Sequence, residues 1–234
     1  MTAAPDPSSP VVGDPVRRGR RLLVLLVAAL LVLALVRAFA VQSYAIPSAS
    51  MEPTLRPGDR IVVLRPGVAA SVQRGDVVVF DGTTVFAGRS DRDAASGGIV
   101  GRVLGSLASL LSVDTGESDY VKRVIGLPGD HVVCCDQDGA MQVNGVTVSE
   151  PYLFPGDAAS DVRFDVLVPP GRLWVMGDHR SESADSRAHL GDPGGGMVRV
   201  GDLVGRAMAV YWPPSRVQSV GTASQLSDIP AGRG

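Results

Sequence analysis

The sequence is poor in several residue types from which catalytic and metal sites are commonly built. Its 234 residues include three histidines, two cysteines and two tryptophans, and aromatic residues make up 5% of the chain. A formal net charge of -2 and the lack of a long basic run exclude the electrostatic footprint of a nucleic-acid-binding protein. The two cysteines are adjacent, which fits no metal-ligand spacing. No metal site is therefore predicted.

The cysteines, Cys134 and Cys135, lie in a strand-like run. Neighbouring residues of a strand point to opposite faces, so a bond between their sulfurs would need a distorted peptide. We therefore expect one thiol packed inward and one facing outward.

Lysine is the scarcest charged residue. Lysine and arginine together number 22, and Lys122 is the only lysine. Arginine replaces lysine easily on surfaces but does not give up its proton at ordinary pH. A site that needs a neutral amine must keep lysine, so Lys122 is a candidate general base. The alternative is that this lysine was retained by chance and has no catalytic role.

The 28 glycines and 17 prolines separate short Val-rich runs, a pattern typical of strands and turns. The Asn144-Gly145 pair predicts a tight hairpin turn. The sequence therefore predicts a mostly antiparallel β domain over residues 42–216. The expected strands lie at residues 60–64, 76–80, 120–125, 131–135, 141–148, 173–176 and 203–212.

Residues 88–118 differ from this pattern and form an expected insertion. After a Gly-, Ser- and Asp-rich start, apolar residues recur at helical spacing from Ile99 to Leu111. Two interpretations stay open for this stretch: a short helix packed on the sheet, or a helix resting on a bilayer surface.

One long apolar run lies near the N-terminus. Residues 22–36 are uninterrupted, and because Arg37 can extend its charge to the interface, the run continues to residue 41. A helix needs about 20 residues to cross a bilayer, so residues 22–41 are predicted to be a transmembrane anchor. Positive charge before it predicts that the tail, residues 1–21, is cytoplasmic and the remainder extracytoplasmic. Four arginines supply that charge: Arg17, Arg18, Arg20 and Arg21.

The same region also fits a cleavable signal peptide, with a small-residue site at residues 38–40. Both interpretations place the domain outside the cytoplasm. At the other end, residues 217–234 are polar and are expected to form a flexible tail.

Three segments contain candidate chemistry. Residues 46–55, soon after the anchor, place Ser50 among small residues between two prolines. Residues 120–130 place Lys122 in a predicted strand with apolar neighbours, where burial would favour the neutral amine. Residues 177–187 form a polar loop with Ser183, Asp185 and Arg187. A neutral lysine beside a serine can accept the hydroxyl proton without a histidine.

Together these segments resemble the bacterial type I signal peptidases, serine proteases with a Ser-Lys dyad. The family's Ser-x-Ser-Met-x-Pro-Thr motif matches residues 48–54, and its lysine motif matches residues 122–130. The late motif, Gly-Asp-Asn-Arg-x-x-Ser-x-Asp-Ser-Arg, matches residues 177–187, except that His179 replaces the usual Asn. A further family-like segment is residues 74–80. The resemblance covers about residues 46–212.

The resemblance implies a role for each matching residue. Ser50 would be the nucleophile and Lys122 the general base, with Ser48 in the oxyanion hole and Ser183 orienting the lysine. Asp185 and Arg187 would be structural. The family's substrate pockets match Ile46, Met51, Leu55 and Val121. The expected substrates are exported preproteins cut after Ala-x-Ala-like sites at the bacterial cell membrane, with no cofactor and no metal.

Three alternatives stand beside this interpretation. A self-cleaving repressor shares the dyad, but such proteins have a DNA-binding head where this chain has the Arg-tipped tail. A Ser-His-Asp hydrolase would need His179, yet Asp178 and Ser183 are its near neighbours in sequence, whereas a triad is assembled from distant segments. A membrane-anchored binding or scaffold module without activity is the third alternative.

Overall fold

The computed structural model describes residues 15–39, 41–65, 67, 72–83, 85 and 119–232. The predicted insertion at residues 88–118 lies outside these residues, as do residues 1–14 of the predicted cytoplasmic tail. The two α-helices of the described residues are α1 (Pro15–Phe39) and α2 (Ser224–Ser227). The strands are β1 (Val41–Ala45), β2 (Arg60–Leu64), β3 (Val77–Asp81), β4 (Asp119–Gly126), β5 (His131–Cys134), β6 (Met141–Val143), β7 (Val146–Thr147), β8 (Phe164–Leu167), β9 (Arg172–Met176), β10 (Val198–Arg199), β11 (Leu203–Trp212) and β12 (Gln218–Ser219).

Helix α1 includes most of the predicted anchor. The side chains described in it, residues 20–32, are exposed. Among the helices of the described residues, none has both the length and the apolar character to cross a membrane.

The larger sheet has the strand order β1-β2-β11-β3-β4-β9-β10, and β12 pairs with β11. Every strand pair among the described residues is antiparallel, as the sequence predicted. Strand β4 is central, with Lys122 opposite Val78 of β3 and Arg123 opposite Met176 of β9. The loop after β9 therefore starts beside β4, whereas three strands of the sheet separate β1 from β4.

The smaller sheet has the order β7-β6-β5-β8. Its hairpin turn is the predicted Asn144-Gly145 pair, and both residues have positive φ (54° and 78°). Trp174 of β9 is fully buried beside this sheet, with its ring 5.0 Å from that of Phe164. The core therefore joins the two sheets.

Residues 217–232 of the predicted flexible tail, residues 217–234, pack against the domain. Strand β12 pairs with β11, and Leu226 of α2 is fully buried with Ile229 close behind. The few apolar residues of this segment bury in the core shared by the two sheets, which outweighs its polar average.

The cysteine pair also differs from expectation. Cys134 and Cys135 are joined by a disulfide rather than forming one inward and one outward thiol. Cys134 is buried, and Cys135 packs against the same core cluster, so both sulfurs lie on one side of the chain.

Candidate active site

The serine segment, residues 46–55, leads out of β1 and folds into tight turns. The amide of Glu52 donates to the carbonyl of Ala49 (2.9 Å), and that of Leu55 donates to Met51 (2.8 Å). These turns bring Ser50 back toward the sheet, where it is 7% exposed.

Lys122 reaches Ser50 from β4. Its Nζ lies 2.7 Å from Ser50 Oγ, although 72 residues separate them in sequence. Lys122 is 4% exposed, and burial lowers the pKa of its amine from 10.5 to about 8, opposed in part by Asp185 and Asp178. A substantial fraction of the amine is thus neutral near pH 8 and can accept a proton from the serine.

Ser48 also lies within hydrogen-bond distance of the candidate nucleophile. Its Oγ is 3.3 Å from Ser50 Oγ, and its side chain is exposed. The hydroxyl is therefore within reach of a group that reacts at Ser50, which is compatible with the predicted oxyanion role and does not test it.

The polar loop after β9 packs behind the dyad. Arg187 donates to both oxygens of Asp185 (2.8 Å each), and Asp185 accepts from the amide of Gly177 (2.9 Å). The hydrogen bonds from Arg187 and the amide of Gly177 hold the pKa of Asp185 below its usual value despite burial. The pair therefore lies within the loop behind the dyad, and its structural role stays a prediction.

Ser183 was predicted to orient Lys122, but the structure forms no hydrogen bond between them. Its buried Oγ has no partner at hydrogen-bond geometry among the described residues, although it lies close enough to Asp185 to help lower the pKa of that carboxyl. Gly177 separates Ser183 from Ser50: a Cβ at position 177 would overlap both the Ser183 hydroxyl and the Ser50 carbonyl. Ser183 thus lies beside the dyad without a defined contact to the amine.

The four predicted pocket residues lie together. Ile46, Met51 and Leu55 are buried in one apolar cluster, and Val121 packs against it. Since Met51 and Leu55 are 1% and 0% exposed, these side chains line the inner side of the serine segment. Their part in substrate binding stays a prediction.

A second buried ion pair was missed by the sequence interpretation. Arg123 donates to both oxygens of Asp178 (2.8 and 2.6 Å), and Thr54 Oγ1 donates to the same carboxylate (2.5 Å). The guanidinium also lies 4.3 Å from the centre of the Tyr152 ring. Arg123 and Asp178 both lie within the matched motifs, but their positions in the sequence do not indicate that they pair. This pair connects the serine segment, β4 and the loop after β9.

His179, the one departure from the late motif, also lies at the serine segment. Its amide donates to the Ser50 carbonyl (3.1 Å), and its ring stacks on Phe154 with the centroids 3.9 Å apart. Its buried Nδ1 has no hydrogen-bond partner within the described part of the chain. The carboxylate contact that holds the histidine of a Ser-His-Asp triad is therefore missing at Nδ1.

The described residues contain no cluster of three or more His, Cys, Asp or Glu side chains able to hold a metal ion.

Comparison with known proteins identifies the family of the chain. The sequence profile described as signal peptidase, peptidase S26, matches residues 19–212. The chain belongs to the signal peptidase family, peptidase S26. Signal peptidase I of Mycobacterium tuberculosis is 39% identical over 217 residues, covering 84% of this chain and 74% of that protein. Signal peptidase I of Bacillus licheniformis is 31% identical over 193 residues, covering 79% and 83%.

Among solved structures, a signal peptidase I from Enterococcus faecalis matches with 23% identity and a TM-score of 0.36, covering 58% of this chain and 96% of that one. The family assignment rests on the sequence matches. They confirm the predicted resemblance and the predicted class, a serine peptidase of the signal peptidase I type.

Proposed function

We propose that this chain is a membrane-bound endopeptidase that removes N-terminal signal peptides from exported preproteins after Ala-x-Ala-like sites. The observation that supports it most is the buried Ser50–Lys122 contact of 2.7 Å, with the amine's pKa lowered to about 8. This contact lies between motifs shared with the signal peptidase family, peptidase S26.

In this mechanism Ser50 Oγ attacks the scissile carbonyl while Lys122 Nζ takes its proton. Lys122 then gives that proton to the leaving amine, so the signal peptide remains as an ester on Ser50. The neutral amine next removes a proton from water, whose oxygen attacks the ester carbonyl. The protonated amine returns that proton to Ser50 Oγ as the ester bond breaks and the signal peptide leaves.

The oxyanion formed in both steps needs two donors. The backbone N–H of Ser50 and the hydroxyl of Ser48 are proposed for this role. Such a donor contributes about 3–4 kcal/mol to the transition state in other enzymes. The 3.3 Å separation of the two serine oxygens supports it, because the oxyanion forms on the carbon that Ser50 attacks.

The apolar cluster of the serine segment is proposed to bind the small side chains before the cut. Ile46, Met51 and Leu55, with Val121 of β4, form one apolar cluster in and beside the serine segment. An apolar surface of this kind suits Ala at the first and third positions before the cut.

The cellular setting is proposed from the sequence and the family. Residues 22–41 would anchor the chain in the bacterial cell membrane with the N-terminus in the cytoplasm. Apolar residues of α1 are highly exposed, Leu22 and Leu25 at 68% and 65%, which suits a lipid surrounding. N-terminal sequencing separates the two possibilities: a retained anchor begins near residue 1, and a cleaved signal leaves a start near residue 41.

The activity is tested with the full chain in detergent and a preprotein carrying an Ala-x-Ala site. Wild type is compared with Ser50→Ala and Lys122→Arg, and Ser149→Ala serves as the control because Ser149 is exposed. We expect cutting after the second Ala by wild type and the control alone.

Other outcomes have clear meanings. A folded wild type that does not cut would favour the inactive scaffold module. Cutting that survives both dyad substitutions would show that the dyad is wrong. Loss on His179→Ala with Ser50→Ala still active would favour a histidine-based hydrolase.

A further inference from the structure

The C-terminal strap, residues 216–232, contacts segments that flank both halves of the candidate dyad. The sequence suggested a flexible tail here, yet the strap runs from the serine segment to the turn that supports β4. Its far end is fixed in the core through Leu226 and Ile229. Neither the proposed reaction nor the family motifs assign it a role.

At the serine segment, the strap holds the residues that follow Ser50. Arg216 donates from Nε and Nη2 to the two oxygens of Asp59 (2.8 and 2.9 Å), a carboxylate that is 1% exposed. Asp59 in turn accepts the amide of Arg56 (2.9 Å), and its carbonyl accepts the amide of Ile46 (2.8 Å). The bidentate contact therefore closes the base of the loop that presents Ser50.

Gln218 adds a second contact to the same loop. Its Nε2 donates to the carbonyl of Thr54 (3.0 Å), and the side chain of Thr54 donates to Asp178. The strap therefore binds the backbone of Thr54, and the loop after β9 binds its side chain.

At the lysine side, the strap contacts the turn before β3. Thr222 Oγ1 donates to Asp76 (2.5 Å), and the amide of Ala223 donates to the carbonyl of Gly75 (3.2 Å). That carbonyl also accepts Arg123 Nη1 (2.8 Å), and the carbonyl of Asp76 accepts the amide of Val124 (2.8 Å). The strap therefore supports the stretch of β4 that directly follows Lys122.

The strap's end is tied down beyond these contacts. Arg74 donates from Nη1 to the carbonyl of Ile229 (2.6 Å) while its Nε and Nη2 engage Asp130. Because this end is fixed, the serine segment can move relative to β4 only if the strap loses its contacts at Arg216, Gln218 or Thr222.

We propose that the C-terminal strap sets the distance between Ser50 and Lys122, with Arg216 and Thr222 as positioning residues at its two ends. The inference rests on the proposed function, because it concerns the geometry of that dyad. A shift of about 1 Å in reacting groups costs on the order of 100-fold in rate, so a strap that fixes this distance acts on kcat.

The test uses the full chain in detergent and the Ala-x-Ala substrate, with Arg216→Ala, Thr222→Val and Arg216→Lys. Arg172→Ala is the matched control, because that guanidinium is also half-buried and donates to a backbone carbonyl, Met197 (3.0 Å), next to edge strand β10. The readouts are kcat, KM, the midpoint of the pH-rate profile and the unfolding temperature.

We expect Arg216→Ala and Thr222→Val to lower kcat by about tenfold or more while KM changes by less than about twofold. The pH midpoint should rise, since a displaced serine loop admits water to the Lys122 amine and relieves its burial. Asp185, Asp178 and Arg187 also act on that amine and are unchanged in these variants. Arg216→Lys should recover part of kcat, and the control should match wild type.

The proposal is overturned if kcat falls only in proportion to the loss of folded protein in each variant and the midpoint of the pH-rate profile stays that of wild type. Unchanged kcat in both folded variants would overturn it equally. An inactive wild type in the same assay would overturn the proposed function and the positioning role with it, which separates the two failures.

Discussion

Replacement of Lys122 by Met measures what the protein loses in stability by burying its candidate base. Met has nearly the same length and no charge, so it keeps the packing and removes the amine. The pKa of Lys122 falls from 10.5 to about 8 in the fold. At 1.36 kcal/mol per unit, this difference corresponds to a penalty of about 3 kcal/mol for the protonated amine.

The sign follows from proton binding. Between about pH 8 and 10.5 the unfolded chain holds a proton at Lys122 that the folded chain has released, so the stability of wild type rises with pH in this window. The penalty is complete below about pH 8 and is gone above about pH 10.5. Lys122→Met should therefore be more stable than wild type by about 3 kcal/mol at pH 7, and the difference should shrink as pH rises toward 10.

The assay is urea unfolding of the full chain in detergent, followed by fluorescence. Trp174 is fully buried and Trp212 is 50% exposed, so unfolding changes mainly the Trp174 signal. Activity, measured on the same samples, should be absent in Lys122→Met. A variant less stable than wild type at pH 7, or a difference that does not change with pH, would refute the reasoning.

Three further predictions follow from the site and its supports. With a pKa of about 8, the neutral fraction of Lys122 is about 10% at pH 7 and about 90% at pH 9, so kcat/KM should rise about tenfold; a flat rate profile would contradict a lysine base. Gly177→Ala should lower kcat by about 100-fold because the added Cβ would overlap the Ser50 carbonyl. Gly191→Ala is the control, since a Cβ there meets open space, and it should keep wild-type kinetics. Equal kinetics for the two variants would refute the steric reasoning. Arg74→Met should reduce the free energy of unfolding, measured by urea titration, by about 3–5 kcal/mol, because the buried Asp130 carboxylate loses its cationic partner. Wild-type stability in this variant would contradict the role of the pair, and so would a double variant with Asp130→Asn that recovers no stability.

The candidate Ser50–Lys122 dyad could be predicted from the sequence because its proposed chemistry restricts residue type. A base that must lose its proton near neutral pH cannot be arginine, so a single lysine in an arginine-rich chain was informative. The strands were predictable for a similar reason: β2 and β9 are short apolar runs bounded by turn residues. Both inferences depend on local properties of the chain.

The strap and the Arg123–Asp178 pair could not be predicted in this way. Arg216 and Gln218 lie in a polar segment, and their type alone does not separate a solvated side chain from one that holds Asp59 or Thr54. Arg123 directly follows the candidate base Lys122 in the sequence. Because adjacent residues of a strand face opposite sides of the sheet, the sequence did not indicate that Arg123 also lies at the site. These roles depend on partners distant in sequence, so only the folded arrangement reveals them.

The buried charges around the dyad explain how Lys122 can lie near two carboxylates and still lose its proton easily. Two carboxylates act on its amine, and each is paired with an arginine: Asp185 with Arg187, and Asp178 with Arg123. The two pairs carry no net charge, so their attraction for the lysine proton is partly cancelled and burial dominates its pKa. The same arginines satisfy the carboxylates that shape the loop after β9, so the site combines fixed polar groups with an amine that can be neutral. A lone carboxylate in the place of either pair would hold Lys122 protonated and make it a poor base.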